Sequence, residues 1–136
     1  ISGAGLAGSL LSVMLAKRGM NVEIFEKRPD MRTQDMSAGR SINLALSDRG
    51  LDALDKAGLK EVAKKMMMPM KGRLIHDREG NTSLQPYSGK SGKAINSISR
   101  GGLNMMLMNE AEKLKGVDFH FHRGISNIDW DNNSFA

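Results

Sequence analysis

The stretch Gly-Ala-Gly-Leu-Ala-Gly at residues 3–8 constrains this chain more than any other. It follows the apolar Ile1 and opens a segment, residues 9–18, in which Leu10, Leu11, Met14 and Leu15 recur at helical spacing. Gly19 stands where a C-cap glycine belongs, and Val22 and Ile24 then alternate as a strand. Strand end, glycine turn, helix and strand make a βαβ unit. The front of its first strand is expected to lie outside the sequence.

Each glycine has a separate task in such a turn. Gly3 permits the tight exit from the strand, Gly5 lets backbone come close to a pyrophosphate, and Gly8 lets the helix pack on the sheet. The helix N-terminus then presents free N–H groups and the positive end of its dipole to phosphate oxygens. Glu26 ends the second strand eighteen residues after Gly8, where a carboxylate accepts hydrogen bonds from adenosine ribose hydroxyls. An acid there disfavours a 2′-phosphate and points to FAD or NAD. Arg28, two residues on, is able to receive a phosphate and blurs that distinction. Spacing alone does not choose between FAD and NAD, and a glycine turn without a nucleotide is the plain alternative.

Further along, residues 41–46 look extended, and Ser47 is placed to cap a helix over 48–57, closed by Gly58. A second short helix over 59–67 is expected to stop before Pro69. Residues 72–77 and 82–86 form a hairpin around Glu79-Gly80-Asn81, and 87–93 form a loop. Residues 95–99 return to strand, and Ser99 caps a helix to about Leu114. Residues 117–122 alternate again, and 125–134 suggest a last hairpin whose return strand is cut off. Both ends of the chain are therefore expected to be truncated.

Composition excludes several classes. With no cysteine, disulfides and thiolate metal sites are ruled out and a reducing cytoplasm is expected. His120 and His122 alternate, but no carboxylate or third histidine joins them at supporting spacing, so no metal centre is expected. No Gly-x-Ser-x-Gly elbow supports hydrolase chemistry. The net charge of +5 is spread among interleaved acids, with one Trp and one Tyr for base stacking, which argues against nucleic acid. The eleven methionines read as pliable packing. A non-catalytic basic nucleotide- or nucleic-acid-binding module is the contrasting reading of this charge.

The motifs taken together, GAGLAGSLLSVMLAKRGMNVEIFEKRPDMR, GRSINLALSDRGLDAL, PMKGRLIHDREGNTSLQPY and INSISRGGLNMMLMNEAE, resemble the single-component flavin aromatic hydroxylases. Within that family they are similar to the branch that hydroxylates L-kynurenine, in tryptophan catabolism and pyridine nucleotide biosynthesis. The resemblance runs nearly the whole length and implies a fold, a cofactor and a set of residues. The fold is α/β: a Rossmann-like FAD/NAD(P)-binding βαβ domain with a β-rich substrate-domain insertion. Residues 1–70 and 99–136 would be FAD-binding parts and 71–98 the substrate-domain segment, the whole being about the first third of an enzyme.

The cofactor implied is FAD, with NADPH as reductant and co-substrate. The FAD contacts implied are Gly3, Gly5, Ala7 and Gly8 in the turn, Phe25, Glu26, Lys27 and Arg28 around the ribose, and Ala45, Arg100 and Ile125 further along. Arg73 and Tyr87 are implied to grip the amino-acid carboxylate of kynurenine, a task suited to a guanidinium fork and a phenol hydroxyl. One residue is inserted between Tyr87 and Arg100 relative to the family pattern. No protein nucleophile is expected, since the flavin carries the chemistry. Any membrane association is expected only through a region beyond Ala136. A related hydroxylase acting on a salicylate-like or phenolic acid is the neighbouring alternative.

Overall fold

The computed structural model describes residues 1–34, 42–87 and 94–136. The sequence readings for the loops at 35–41 and 88–93 lie outside the described residues. The chain forms two compact units, Ile1–Ser41 with Gly101–Ala136, and Ile42–Arg100. The first opens with helix α1 (Leu6–Ala16), strand β1 (Val22–Glu26) and a 3₁₀ turn at Met31–Thr33. The second carries β2 (Asn43–Leu46), α2 (Asp48–Lys56), α3 (Lys60–Lys64), β3 (Met68–Met70), β4 (Gly72–His76), β5 (Thr82–Pro86) and β6 (Ile95–Ser99). The chain returns to the first through α4 (Arg100–Glu112), then β7 (Val117–Phe121), β8 (Ile128–Asp129) and β9 (Ser134–Phe135).

In the first unit β1 pairs in parallel with β7, from Val22 opposite Val117 to Glu26 opposite Phe121. Residues 1–3 continue this sheet on the other side of β1. The Ile1 terminal amine donates to the Glu23 carbonyl at 2.7 Å, Phe25 N–H to the Ile1 carbonyl at 2.9 Å and Gly3 N–H to the Phe25 carbonyl at 2.7 Å. Strand β1 is thus central, and alternation buries Val22, Ile24 and Glu26. Ile24, Val13, Leu107 and Met108 are all but sealed from solvent. Each such aliphatic side chain contributes roughly 1.5–3 kcal/mol on burial.

Helix α1 forms where the apolar spacing predicts, but its most buried residues are Ser9, Ser12 and Val13, while Leu11 is exposed. Small side chains on the inner face let the helix sit close, and both buried hydroxyls are satisfied: Ser9 Oγ donates to the Ala4 carbonyl at 3.2 Å and Ser12 Oγ to the Ser9 carbonyl at 2.7 Å.

Arg32 ties this unit together. Its guanidinium donates to Asp30 at 2.7 Å, to Glu112 at 2.6 Å and to Asn109 at 3.1 Å, and lies 5.8–5.9 Å from the ring centroids of Phe119 and Phe121. One side chain thereby joins the 3₁₀ turn, α4 and β7. Arg32 holds the Asp30 carboxyl below its ordinary range, chiefly through the side-chain hydrogen bond.

In the second unit the sheet order is β2-β6-β3, all antiparallel, with Ile98 of the central strand buried. The expected helix over 59–67 is shorter: α3 ends at Lys64, and Met68–Met70 pairs with β6 as an edge strand. Pro69 stops helix, and lacking an N–H it is tolerated at a sheet edge. Ser47 occupies the N-cap position of α2 without a side-chain cap bond among the described residues. Strands β4 and β5 form the expected hairpin, with Gly72 opposite Pro86 and His76 opposite Thr82. The last hairpin also forms, but its return strand is present as β9, where the sequence reading had it cut off. His122 lies beyond the end of β7 at φ 56°, so the expected alternation with His120 breaks there.

Candidate functional site

The turn from residue 3 to residue 8 separates its three glycines by physical cause. Gly3 sits at φ +93°, which side-chain-bearing residues adopt only with strain. A Cβ at Gly8 would collide with the carbonyl oxygen of Gly3. Gly5 needs neither exemption: its φ is −79° and a Cβ there would meet nothing within 4 Å. The fold itself therefore gives no reason for glycine at 5, and the space beside it is open to a ligand. Gly5 is also the N-cap of α1, with no side-chain cap among the described residues and no acid in the first turn. The N–H groups of this helix start have no intrahelical partners, and the local field favours an anion. A pyrophosphate fits this cradle.

Glu26 closes the site from β1. It is 5% exposed, yet its carboxylate is fully engaged. Oε2 accepts from Ala4 N–H at 2.9 Å and from Arg28 Nη2 at 3.2 Å, and Oε1 accepts from Arg28 N–H at 2.9 Å and Arg28 Nε at 2.8 Å. The Arg28 side-chain hydrogen bond, ahead of the backbone bonds, draws the Glu26 carboxyl down to about 2 against the opposing effect of burial. Glu26 thus does two things at once: it anchors the turn through Ala4 and stays ionised. Arg28, with a side chain 69% exposed, covers the carboxylate from the solvent side.

The other expected positions divide between the units. Ala7 is exposed on the first turn of α1, and Lys27 is exposed at the end of β1. The Phe25 ring stacks on His120 at 4.8 Å and meets Phe135 edge-on at 5.2 Å. The segment after β7 runs beside Glu26 to Arg28: Arg123 N–H donates to the Glu26 carbonyl at 2.9 Å and His122 N–H to the Arg28 carbonyl at 3.3 Å. Half-buried Ile125 follows this segment, next to Gly124, where a Cβ would lie 3.1 Å from Lys27 Cβ.

In the second unit, Ala45 lies opposite Ser97 in β2, and exposed Arg100 opens α4, its N–H donating to the Ile42 carbonyl at 3.0 Å. Arg73 sits in β4 opposite Gln85, and its Nε donates to Gln85 Oε1 at 2.7 Å. Tyr87 follows β5, with its N–H on the Lys71 carbonyl at 3.1 Å. Two-residue alternation puts Gln85 and Tyr87 on one face, so Arg73 and Tyr87 are diagonal neighbours on the hairpin.

Residues that sequence reasoning missed also emerge. Gln85 orients Arg73; its only signal was its position two residues before Tyr87. Asn104 of α4 is buried and donates from Nδ2 to the Ala4 carbonyl at 2.9 Å. Its signal was a lone amide among Leu103, Met106, Leu107 and Met108.

Comparison with known proteins bears on this architecture. The kynurenine 3-monooxygenase of Myxococcus xanthus is 48% identical over 130 residues, covering 96% of this chain and 28% of that protein. That of Cytophaga hutchinsonii is 54% identical over 123 residues, 89% of this chain and 27% of the relative. That of Caenorhabditis elegans is 46% identical over 132 residues, 96% and 28%. The chain thus spans under a third of the length of the curated relatives it matches. Among solved structures, p-nitrophenol 4-monooxygenase from Pseudomonas putida DLL-E4 superposes with a TM-score of 0.74 at 17% identity, over 96% of this chain and 33% of that one. The tetrameric form of 2-methyl-3-hydroxypyridine-5-carboxylic acid oxygenase gives 0.71 at 21%, over 99% and 35%. Both share the fold, the α/β architecture read from the glycine turn. The family described as "FAD binding domain" matches residues 1–135, and the chain belongs to it.

Proposed function

We propose that this chain forms the FAD-binding part, and the first substrate-facing hairpin, of an enzyme that hydroxylates L-kynurenine. The overall change is L-kynurenine, NADPH, a proton and O2 giving 3-hydroxykynurenine, NADP+ and water. The observation that carries this reading is the 48% identity to a kynurenine 3-monooxygenase along 96% of the chain. The open cradle at Gly5 and the ionised Glu26 support the FAD half of it.

FAD, when bound, supplies the redox and oxygen-transfer chemistry. The chain's own residues bind and orient. The N–H groups of residues 5–8 would hold the pyrophosphate, with Ala7 exposed beside it, and Glu26 would accept ribose hydroxyls, flanked by Phe25, Lys27 and Arg28. Ala45, Arg100 and Ile125 would complete the contacts to FAD. On the hairpin, Arg73 would grip the substrate carboxylate and Tyr87 would donate a further hydrogen bond, keeping the aromatic ring in range. Residues 71–98 are then the substrate side, and 1–70 and 99–136 the FAD side. The ligands are small molecules, and the place of action is the cytoplasm. No helix among the described residues is long and apolar enough to cross a membrane.

The test is NADPH oxidation by the whole protein with L-kynurenine, followed by product analysis. Stimulation with matching 3-hydroxykynurenine is the expected result. Stimulation by a salicylate-like or phenolic acid alone would move the enzyme to another branch of aromatic hydroxylases. A colourless protein that binds DNA with a steep salt dependence would remove it from the class. Arg73→Ala is expected to raise the kynurenine KM at least tenfold, and an unchanged KM would overturn the role of the hairpin.

A further inference from the structure

We propose that Asn104 is a positioning residue for the phosphate turn, fixing the direction of the Gly5 N–H. The proposal rests on the reading of that turn as an FAD site.

Asn104 is 7% exposed, on a face of α4 otherwise made of Leu103, Met106, Leu107 and Met108. An amide there is costly. Its Oδ1 is buried with no partner among the described residues, so its desolvation goes uncompensated. A leucine would carry no such deficit, so packing does not explain the residue. Its Nδ2 donates to the Ala4 carbonyl at 2.9 Å and lies 3.0 Å from Met31 Sδ. Rotating the amide by half a turn would set oxygen against oxygen, so the Ala4 bond dictates the orientation.

The consequence follows from peptide planarity. The Ala4 carbonyl and the Gly5 N–H belong to one trans peptide unit and point in opposite directions. Asn104 Nδ2 and Ser9 Oγ together hold the carbonyl toward the buried side. The Gly5 N–H is thereby aimed the opposite way, away from Asn104 and Ser9. Glu26 fixes the preceding N–H, that of Ala4. The peptide unit that meets a phosphate is held from α4, and the preceding one from β1.

The experiment strips FAD from the whole protein, titrates it back by flavin fluorescence and records apoprotein melting. Asn104→Leu removes the donor together with the orphaned oxygen. It is expected to weaken FAD binding about fivefold to tenfold without lowering the apoprotein melting temperature. FAD affinity within twofold of the parent would overturn the proposal. Should that variant not fold, Asn104→Asp decides by its pH profile. Burial beside a carbonyl raises the introduced carboxyl group's pKa, and its protonated form restores a donor. The neighbouring charged pairs, Glu26 with Arg28 and Asp30 with Arg32, keep their charge between pH 5 and 8 because both carboxyls are held low. FAD affinity should match the parent at pH 5 and fall about tenfold below it at pH 8. An affinity ratio that stays constant with pH would overturn the proposal. A parent protein that retains no FAD would instead overturn the reading of the site, and this role with it.

Discussion

The carboxylate of Glu26 accepts a hydrogen bond from the backbone N–H of Ala4 at 2.9 Å, joining the end of β1 to the glycine turn across 22 residues. An acid proposed to serve a ribose also builds the turn proposed to hold the phosphates. Removing its charge should therefore affect stability before any ligand is added. Glu26→Gln is expected to cost about 1–3 kcal/mol at pH 7 in chemical denaturation of the apoprotein.

The same group predicts acid sensitivity. Its folded pKa is lowered from 4.5 to about 2, so its stabilisation is fully present above 4.5 and is lost as pH falls toward 2. The stability gap between the parent and Glu26→Gln should be constant from pH 7 to 5 and shrink from 4.5 downward. A gap that does not depend on pH would show that the charge is not what matters.

The three glycines should respond differently to alanine. Gly3→Ala meets the positive φ and should cost roughly 1–2 kcal/mol. Gly8→Ala forces a Cβ into the Gly3 backbone and should cost about 1–3 kcal/mol. Gly5→Ala should leave the apoprotein melting temperature nearly unchanged while weakening FAD binding at least tenfold. Equal FAD affinity in Gly5→Ala and parent would remove the main geometric argument for the cradle.

Arg32→Ala strands Asp30 and Glu112 and removes a cation from the faces of Phe119 and Phe121. With only 17% of the side chain exposed, the loss should be about 2–4 kcal/mol by denaturant midpoint. Arg32→Lys should recover less than half, because an ammonium cannot reach both carboxylates with a planar fork. Full recovery by lysine would reduce the role to charge alone.

Gln85→Ala frees the Arg73 guanidinium from its 2.7 Å partner. Under the kynurenine reading, KM should rise several-fold with a smaller change in kcat. Equal losses in kcat and kcat/KM would instead point to a contact made only in the transition state.

Much of the architecture was legible because it is local. The spacing of Gly3, Gly5 and Gly8 between a strand end and a helix, and the alternation around Ile24, are short-range patterns with short-range causes. So is the β4–β5 hairpin around Gly80, which puts Arg73 and Tyr87 on one face. Other features escaped because they depend on partners distant in sequence. Met68–Met70 is a strand because β6 offers it an edge, although its own residues suggest only an interrupted helix. Ser9 and Ser12, not the neighbouring leucines, face inward on α1 because a close approach to the sheet rewards small side chains whose hydroxyls find carbonyls.

By itself the sequence determined that a βαβ unit with a dinucleotide turn would form, and which acid would stand at the end of its second strand. Backbone sterics and side-chain periodicity act over a few residues, so they can be read in one dimension. Only the tertiary structure decided that Glu26 and Asn104 take the N–H and the carbonyl of one residue, Ala4, from opposite directions along the chain. Those bonds join residues 22 and 100 positions apart, and a contact of that kind exists only once the sheet and α4 have packed.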